Sequence, residues 1–226
     1  MRVVGILGGM GPQATCDLFL KVIQNTPAQK DQDHLRVIID SNPKIPDRTA
    51  YILSGGEDPR PLLFETAKNV EKAGASFIAI PCNTAHYFHK EIQAQVNIPV
   101  LHMMEEVARY LNGKAKKAGL LATTGTLRTG LYTRSLAKVG IESIIPADED
   151  QESVMDAIYM VKASILEKAR QILLEQARKL EARGCDVVIA GCTEIPLVLK
   201  DGDLGIEVVD ATDVLAKACV KYGLGK

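Results

Sequence analysis

Two cysteines, Cys82 and Cys192, occupy matching positions in the sequence and together could move a proton. Each lies eight residues after a glycine, Gly74 or Gly184, and follows a short apolar run that predicts a buried strand. A thiolate can remove a proton from carbon and a thiol can return one, and the usual thiol pKa of about 8.5 falls beside cations or at a helix N-terminus. One thiol on each face of a carbon would invert its configuration. The pair therefore indicates a racemase or epimerase that works by 1,1-proton transfer.

Short apolar runs alternate with helical patterns along the chain and predict the scaffold that positions these cysteines. Helical periodicity dominates 153–182, with a break expected near Ser164, whereas 42–61 carries four prolines and is expected to be an irregular loop. This alternation predicts an α/β fold with mostly parallel sheets. Strands are expected near 1–8, 35–40, 76–80, 98–101, 117–122, 142–145, 186–190 and 206–209.

The chain contains an internal repeat of domain size. The segment that ends at Cys82 matches the segment that ends at Cys192 at an offset of 110. The glycine turn near the start matches residues 119–125 at an offset of 114, and 98–101 matches 206–209 at 108. Three matches in the same order favour an old duplication with small insertions, which produced two similar α/β halves.

The repeat predicts how the chain divides into subdomains. We expect one subdomain from residues 1–100 with about 208–226, and the other from 101–207. Ligands of open parallel sheets bind at the carboxyl ends of the strands. The active site is therefore expected in the cleft between the halves, lined by the turns at 8–11 and 123–126, whose backbone N–H groups suit a carboxylate or phosphate.

Composition excludes several classes of protein. The 226 residues carry 27 Lys plus Arg against 28 Asp plus Glu, and aromatic residues make up 4% with no Trp. A neutral, aromatic-poor chain does not suit a nucleic-acid surface. No apolar run approaches the roughly 18–20 residues of a membrane span, and no secretory signal is visible. Five cysteines without a regular framework predict free thiols in the cytoplasm, with Cys16, Cys185 and Cys219 expected to serve packing.

Four motifs resemble one enzyme family across essentially the whole chain. The segments Pro81–His86 (PCNTAH) and Gly191–Glu194 (GCTE) are similar to the cofactor-independent aspartate/glutamate racemases. The segments Gly5–Pro12 and Asn42–Ile52 resemble the aspartate racemase branch of that family. The resemblance implies a homodimer of subunits with two similar Rossmann-like subdomains and an acidic amino acid as substrate. It also implies that Cys82 and Cys192 are the paired acid and base. It also implies that neither pyridoxal phosphate nor a metal takes part.

The resemblance also implies a set of substrate contacts. It places Arg48 and Lys162 at the substrate carboxylates, and a guanidinium is suited to a bidentate pair with the distal carboxylate. Loss of an α-proton without a cofactor leaves a carbanion that preorganised donors must stabilise, and polar side chains at the strand ends could do so. The residues expected at the substrate are Met10, Arg48, Asn83, Thr84, Ala85, Thr124, Lys162, Thr193 and Glu194.

Other readings of the sequence stay open at this point. The same site would serve a glutamate or broad-specificity racemase, or a decarboxylase or isomerase of a small diacid, although a decarboxylase needs only one of the two cysteines. A non-catalytic amino acid sensor is a further alternative. Residues 9–14 formally match G-x-G-x-x-A with Asp40 beyond them, which is a weak dinucleotide fingerprint for an NAD(P)-binding protein.

A metal site at Cys82, His86 and His89 is a disfavoured alternative. Cys82, His86 and His89 are metal-ligating types, yet the sequence lacks a second ligand pair at matching spacing. His86 and His102 read equally well as polar residues whose hydrogen bonds are satisfied. Glu194 also has a second reading, as a neighbour of a helix N-cap that complements the helix dipole rather than contacting substrate.

Overall fold

The structure is a computed structural model that describes residues 1–225, and it divides into two compact units. One unit comprises Met1–Glu106 with Thr212–Lys226, and the other comprises Val107–Ala211. These divisions differ by a few residues from those expected, and Lys226, the last residue of the expected first half, lies outside the described residues.

The first unit is built on a parallel sheet of three strands. Its elements are β1 (Val4–Gly8), α1 (Pro12–Asn25), a 3-10 turn (Asp31–Asp33), β2 (Val37–Ser41), α2 (Arg48–Ser54), α3 (Arg60–Lys72), β3 (Phe77–Ala79), a 3-10 turn (Thr84–Phe88), α4 (His89–Gln93) and α5 (Met103–Leu111), which runs into the second unit. The strands lie in the order β2-β1-β3. The five residues of β1 are all buried, as expected of a strand covered on both faces.

The second unit repeats this plan with a parallel sheet of four strands. Its elements are β4 (Lys117–Ala122), α6 (Thr124–Arg128), α7 (Leu131–Ala137), β5 (Glu142–Ile144), α8 (Asp148–Lys162), α9 (Leu166–Ala182), β6 (Val187–Gly191), a 3-10 turn (Ile195–Leu197) and β7 (Glu207–Asp210), after which α10 (Ala211–Leu224) returns to the first unit. The strand order is β5-β4-β6-β7. The expected α/β class with parallel sheets is confirmed.

Strand register preserves the sequence repeat residue by residue. In the first unit Val4 pairs with Phe77, and in the second Ala118 pairs with Val187. The first members of these pairs differ by 114 and the second members by 110, the offsets of the repeat. Strands β1 and β3 of the first sheet are therefore paired in the same register as β4 and β6 of the second, which is what duplication of one folding unit produces.

The outer match of the repeat also holds, but with a shorter strand than expected. Ile78 and Val100 form a parallel bridge in the first unit, and Val188 pairs with Val208 in the second. The strand expected at 98–101 is wrong as a full strand, because only this isolated bridge forms. Its counterpart β7 forms four bridged pairs.

A glycine at the same position of each unit lets the central strand approach a helix closely. A Cβ on Gly5 would lie 2.7 Å from the Cβ of Ala75, at the end of the loop after α3. A Cβ on Gly119 would lie 3.0 Å from the Cβ of Leu180 and 3.3 Å from the Sγ of Cys185. Cys185 thus occupies the place that Ala75 has in the first unit, which agrees with its expected packing role.

Three features of the chain depart from the expectations or refine them. The irregular loop expected over 42–61 is wrong, because it contains α2, whose N-cap Asp47 accepts a hydrogen bond from the N–H of Ala50 and whose end is Gly55 in the left-handed region. The expected helix break is confirmed at Ser164, which has φ of 62° between α8 and α9. Cys16 is exposed rather than packed in the core.

Of the described helices, none is both long and apolar enough to cross a membrane.

Candidate active site

Cys82 lies in a buried turn at the carboxyl end of the first sheet. It is the third residue after β3, is 5% exposed, and its N–H donates to the carbonyl of Ile80 at 2.8 Å. Asn83, Thr84 and Ala85 continue the turn and are also buried. The whole PCNTA segment is thus held in one conformation by burial and by its backbone hydrogen bonds.

His86 ties this turn to the start of α5. Its Nε2 accepts a hydrogen bond from the backbone N–H of Met103 at 3.1 Å, so that nitrogen carries no proton. Its Nδ1 therefore bears the proton and donates to the carbonyl of Cys82 at 2.9 Å. Burial, and to a smaller extent the neighbouring His102, lowers the pKa of His86 to about 3. The side chain is a neutral imidazole with both nitrogens satisfied, one of the two readings that the sequence left open.

The glycine turn after β1 is packed too tightly for any larger residue at its first two positions. A Cβ on Gly8 would lie 2.4 Å from Cγ2 of Thr15, and one on Gly9, at φ of 95°, would lie 2.3 Å from the carbonyl carbon of Asn42. The hydroxyl of Thr15 accepts the N–H of Gly9 at 2.8 Å. Met10 follows in this turn and is buried in the same apolar cluster as Cys82 and Ala85.

Arg48 is a buried cation with an open donor. It is the first residue of α2 and only 9% exposed. Its Nη1 donates to the carbonyls of Ile45 and Pro46 at 3.2 and 2.9 Å, while Nε has no partner. Within the described chain no carboxylate is paired with this guanidinium. A buried charge without a counter-ion is costly, so the arrangement favours an anionic ligand.

Cys192 occupies the corresponding turn in the second unit. It directly follows β6 and is 6% exposed. Its thiol donates to Oε2 of Glu194 at 2.9 Å, and the hydroxyl of Thr193 donates to the same oxygen at 3.2 Å. The structure thus brings three of the expected site residues into one hydrogen-bonded group.

The surroundings of Cys192 raise the pKa of its thiol. Burial is the largest cause, and the charge of Glu194 is the next. A hydrogen bond from the backbone of Glu194 lowers this pKa, and Lys162, at an exposed position at the end of α8, lowers it with the smallest effect. Lys162 is therefore close enough to act on Cys192, although its ammonium also lies 5.3 Å from the ring centre of Tyr159.

Tyr132 is a site neighbour that the sequence reasoning missed. It is 1% exposed, and its pKa is raised by burial and then by Cys192 and Asp210. A Cβ on Gly191 would lie 3.1 Å from the Tyr132 ring, so this glycine makes room for the ring beside the cysteine turn. Tyr132 lies 60 positions before Cys192 in the sequence, and no local pattern joins the two.

Gln151 is a second residue that the sequence reasoning missed. Its Nε2 donates to the hydroxyl of Thr124 at 3.1 Å and to the carbonyl of Ala122 at 2.9 Å. The N–H of Thr124 donates to Sδ of Met155 at 3.2 Å. Thr124 is half-buried at the start of α6 and is held in place by α8, which carries both of these partners.

The geometry argues against the metal alternative. Both ring nitrogens of His86 are engaged by backbone groups, so this imidazole has no lone pair to offer. Over the described residues, no group of three or more His, Cys, Asp and Glu side chains is arranged to hold a metal ion. The rings of His86, His89 and His102 instead pack against one another, with centroid distances of 4.7–6.1 Å.

Comparison with known proteins identifies the family. A family model described as Asp/Glu/Hydantoin racemase matches residues 7–219. The chain belongs to this family. Its named members are racemases, which are isomerases, so the expectation of an isomerase is confirmed.

Individual relatives agree with that assignment. The chain is 32% identical over 224 residues to the broad specificity amino-acid racemase RacX of Bacillus subtilis (strain 168), covering 96% of each protein. It is similar to the structure of an aspartate racemase from Picrophilus torridus, with a TM-score of 0.89, 33% identity, and coverage of 99% of this chain and 94% of that one. A glutamate racemase from Francisella tularensis subsp. tularensis SCHU S4, with a TM-score of 0.71 and 16% identity, covers 99% of this chain and 81% of that one and shares the fold.

Proposed function

We propose that this racemase interconverts L- and D-aspartate without a cofactor, using Cys82 and Cys192 as the acid–base pair. The main support is that a buried cysteine follows the equivalent strand of each sheet, β3 or β6, and that these two strands pair with their neighbours in matching register. One thiolate takes the α-proton while the other thiol returns a proton to the opposite face of the carbon. The roles reverse for the other enantiomer.

The buried polar groups beside each cysteine suit the charge that this reaction develops. Loss of the α-proton places negative charge on the α-carboxylate, and preorganised donors stabilise it far better than mobile water does. Asn83 and Thr84 follow Cys82, Thr193 follows Cys192, and all three side chains are buried. We assign to these residues, with Thr124, the binding of the reacting end of the amino acid.

Arg48 supports an acidic side chain on the substrate. The open Nε of its buried guanidinium fits a carboxylate, and a bidentate pair would supply the missing counter-ion. We propose that Arg48 holds the distal carboxylate, that Lys162 adds positive charge near the reacting end, and that Met10 and Ala85 provide apolar contact. The carboxylate of Glu194 already contacts Cys192.

A broader substrate range is the second candidate. It is favoured by the relative from Bacillus subtilis, which is named for broad specificity and matches almost the whole chain. The two candidates differ in how far turnover depends on the distal carboxylate. Aspartate specificity predicts that Arg48→Met removes activity on aspartate, whereas a broad enzyme should keep its activity on neutral amino acids in that variant.

The experiment is a racemisation panel with purified protein and no added cofactor. L-aspartate, L-glutamate, L-alanine and L-arginine are incubated with the wild type and with Cys82→Ala, Cys192→Ala and Arg48→Met, and chirality is read by chiral chromatography. We expect rapid racemisation of aspartate, and losses of about 1,000-fold or more in each cysteine variant. Cys185→Ala serves as the control for loss of a thiol. Near wild-type turnover in either cysteine variant would contradict the proposal.

We propose that the protein works in the cytoplasm, since acid–base chemistry needs reduced thiols and the five cysteines are all free. We also propose a homodimer that pairs through α1. Cys16, Phe19, Leu20 and Ile23 form an exposed stripe at helical spacing on this helix. Sedimentation should find a dimer for the wild type and a monomer for Leu20→Glu, with Gln24→Glu as the control on the same helix. A monomeric wild type would reject this proposal.

A further inference from the structure

The contact between Cys192 and Glu194 bears on which form of the thiol enters the reaction. The Sγ of Cys192 lies 2.9 Å from Oε2 of Glu194, and both side chains are less than a tenth exposed. The hydroxyl of Thr193 donates to the same oxygen. A carboxylate that accepts hydrogen bonds from both neighbours favours a protonated thiol and opposes a thiolate beside it.

The other groups that face Cys192 do not overturn this preference. Lys162, from the end of α8, favours the thiolate but acts from an exposed position. Tyr132, from α7, is kept neutral by burial and so brings no charge, and Asp210, at the end of β7, adds negative charge next to Tyr132. Burial and Glu194 together hold the pKa of Cys192 well above its usual range.

We propose that Glu194 is the proton partner of Cys192, which it holds as the thiol at rest and from which it takes the proton when Cys192 must act as a base. This inference rests on the proposed function and goes beyond it, because it makes the two cysteines unequal. Cys192 enters the cycle as the acid, and Cys82 therefore enters as the base. It also replaces the expectation that Glu194 contacts the substrate.

The proton balance is simple in both directions. When Cys192 is the acid, its S–H bond breaks as a C–H bond forms at the α-carbon, while Cys82 has taken the α-proton from the other face. When Cys192 is the base, its S–H bond first breaks and an O–H bond forms at Oε2 of Glu194. The thiolate then takes the α-proton while the thiol of Cys82 gives its proton to the opposite face, and Oε2 of Glu194 releases its proton to solvent after the product leaves. No oxidant or reductant is involved.

The test measures the ionisation of Cys192 directly in the full-length protein. Cysteine labelled with ¹³C at Cβ reports the protonation of each thiol by NMR, and Cys192→Ser identifies the resonance. Glu194→Gln keeps the shape and an oxygen acceptor but removes the charge. The pH midpoint of the Cys192 thiol titration (the Cys192 midpoint) should therefore fall by about one pH unit or more. Glu207→Gln makes the same change in the same unit at a carboxylate bonded to Tyr110, and should leave the midpoint unchanged.

Two further variants keep the inference falsifiable. Lys162→Met removes the opposing charge and should raise the midpoint. Glu194→Asp withdraws the charge by one methylene, should lower the midpoint less than Glu194→Gln does, and serves if the glutamine variant does not fold. In activity assays of Glu194→Gln, the alkaline limb of the pH profile of kcat/KM should move to lower pH, because this limb reports loss of the proton from the acid.

The outcomes separate this inference from the proposed function. An unchanged Cys192 midpoint in folded Glu194→Gln, or in Glu194→Asp where the first does not fold, would overturn the inference even if the wild type racemises aspartate. A shifted midpoint in a protein that racemises no amino acid would reject the proposed function, while the assignment of Glu194 as the group that controls Cys192 would stand.

Discussion

The imidazole of His86 donates from Nδ1 to the carbonyl of Cys82 at 2.9 Å, while its Nε2 accepts the N–H of Met103 at 3.1 Å. One neutral side chain therefore joins the turn that carries the cysteine to the helix that follows. Protonation would place a donor against the N–H of Met103 inside the core. The structure tolerates only the neutral form, and this has a consequence for stability.

Because of this histidine, the free energy of unfolding should decrease as the pH is lowered below about 6.5. The pKa of His86 is about 3 in the folded protein and about 6.5 when the ring is solvated. Above pH 6.5 the ring is neutral in both states and its contribution is fully present. Below that value the unfolded chain takes up a proton that the folded one refuses. The free energy of unfolding should then fall by up to ~1.4 kcal/mol per pH unit from this group, until about pH 3.

His86→Asn checks this expectation, because it keeps a donor near the carbonyl of Cys82 but does not titrate. Urea unfolding of both proteins should be followed from about pH 7.5 down to about pH 5. The variant should be less stable at the upper end by about 1–3 kcal/mol, since the N–H of Met103 loses its acceptor, but its stability should depend less on pH. Parallel pH curves for the two proteins would contradict the account.

Because β1 closely approaches the loop after α3, a substitution at Ala75 should compensate for one at Gly5. Gly5→Ala would place a methyl group 2.7 Å from the Cβ of Ala75 and 3.0 Å from the carbonyl oxygen of Phe77, and should lower the free energy of unfolding by about 1–3 kcal/mol. Ala75→Gly in the same chain removes the nearest of these atoms and should restore part of the loss. Denaturant titration of the two single variants and the double variant measures the coupling. Simple additivity would show that the two positions are not in contact.

Ser164 offers a stabilising change at the junction of α8 and α9. Its φ of 62° is unfavourable for any residue with a Cβ, so Ser164→Gly should raise the free energy of unfolding by about 0.5–1 kcal/mol. Ala163→Gly is the matched control, because Ala163 has φ of −86° and a glycine there relieves no strain. Thermal melts should move in opposite directions. A loss of stability in Ser164→Gly would contradict the claim that the backbone of Ser164 is strained.

The fold follows largely from local patterns and from the repeat. Apolar runs predicted the strands, and the offsets of 114 and 110 predicted that Cys82 and Cys192 follow equivalent strands, which the register bears out. The helix α2 was missed because surrounding prolines and Gly55 mark the segment as a loop. An N-cap at Asp47, followed by residues that form a short helix up to Gly55, is the signal that could have found it.

The contacts within the site depend on tertiary packing and could not be predicted in the same way. The sequence placed Glu194 two residues after Cys192, but only the turn after β6 determines that its carboxylate folds back to accept the thiol hydrogen. Tyr132 and Gln151 reach the second turn from distant helices. Arg48 was expected from its motif, whereas its burial and open Nε come from the packing around α2.

The most direct test of the central claim is the fate of the α-hydrogen when L-aspartate is incubated with the enzyme in deuterium oxide. Early in the reaction, chirality and deuterium content are read together by chiral chromatography and mass spectrometry. Two thiols acting from opposite faces predict D-aspartate that carries one deuterium and residual L-aspartate that carries none. D-aspartate that retains its protium, or residual L-aspartate that gains deuterium at the same rate, would mean that a single base serves both faces and would contradict the account.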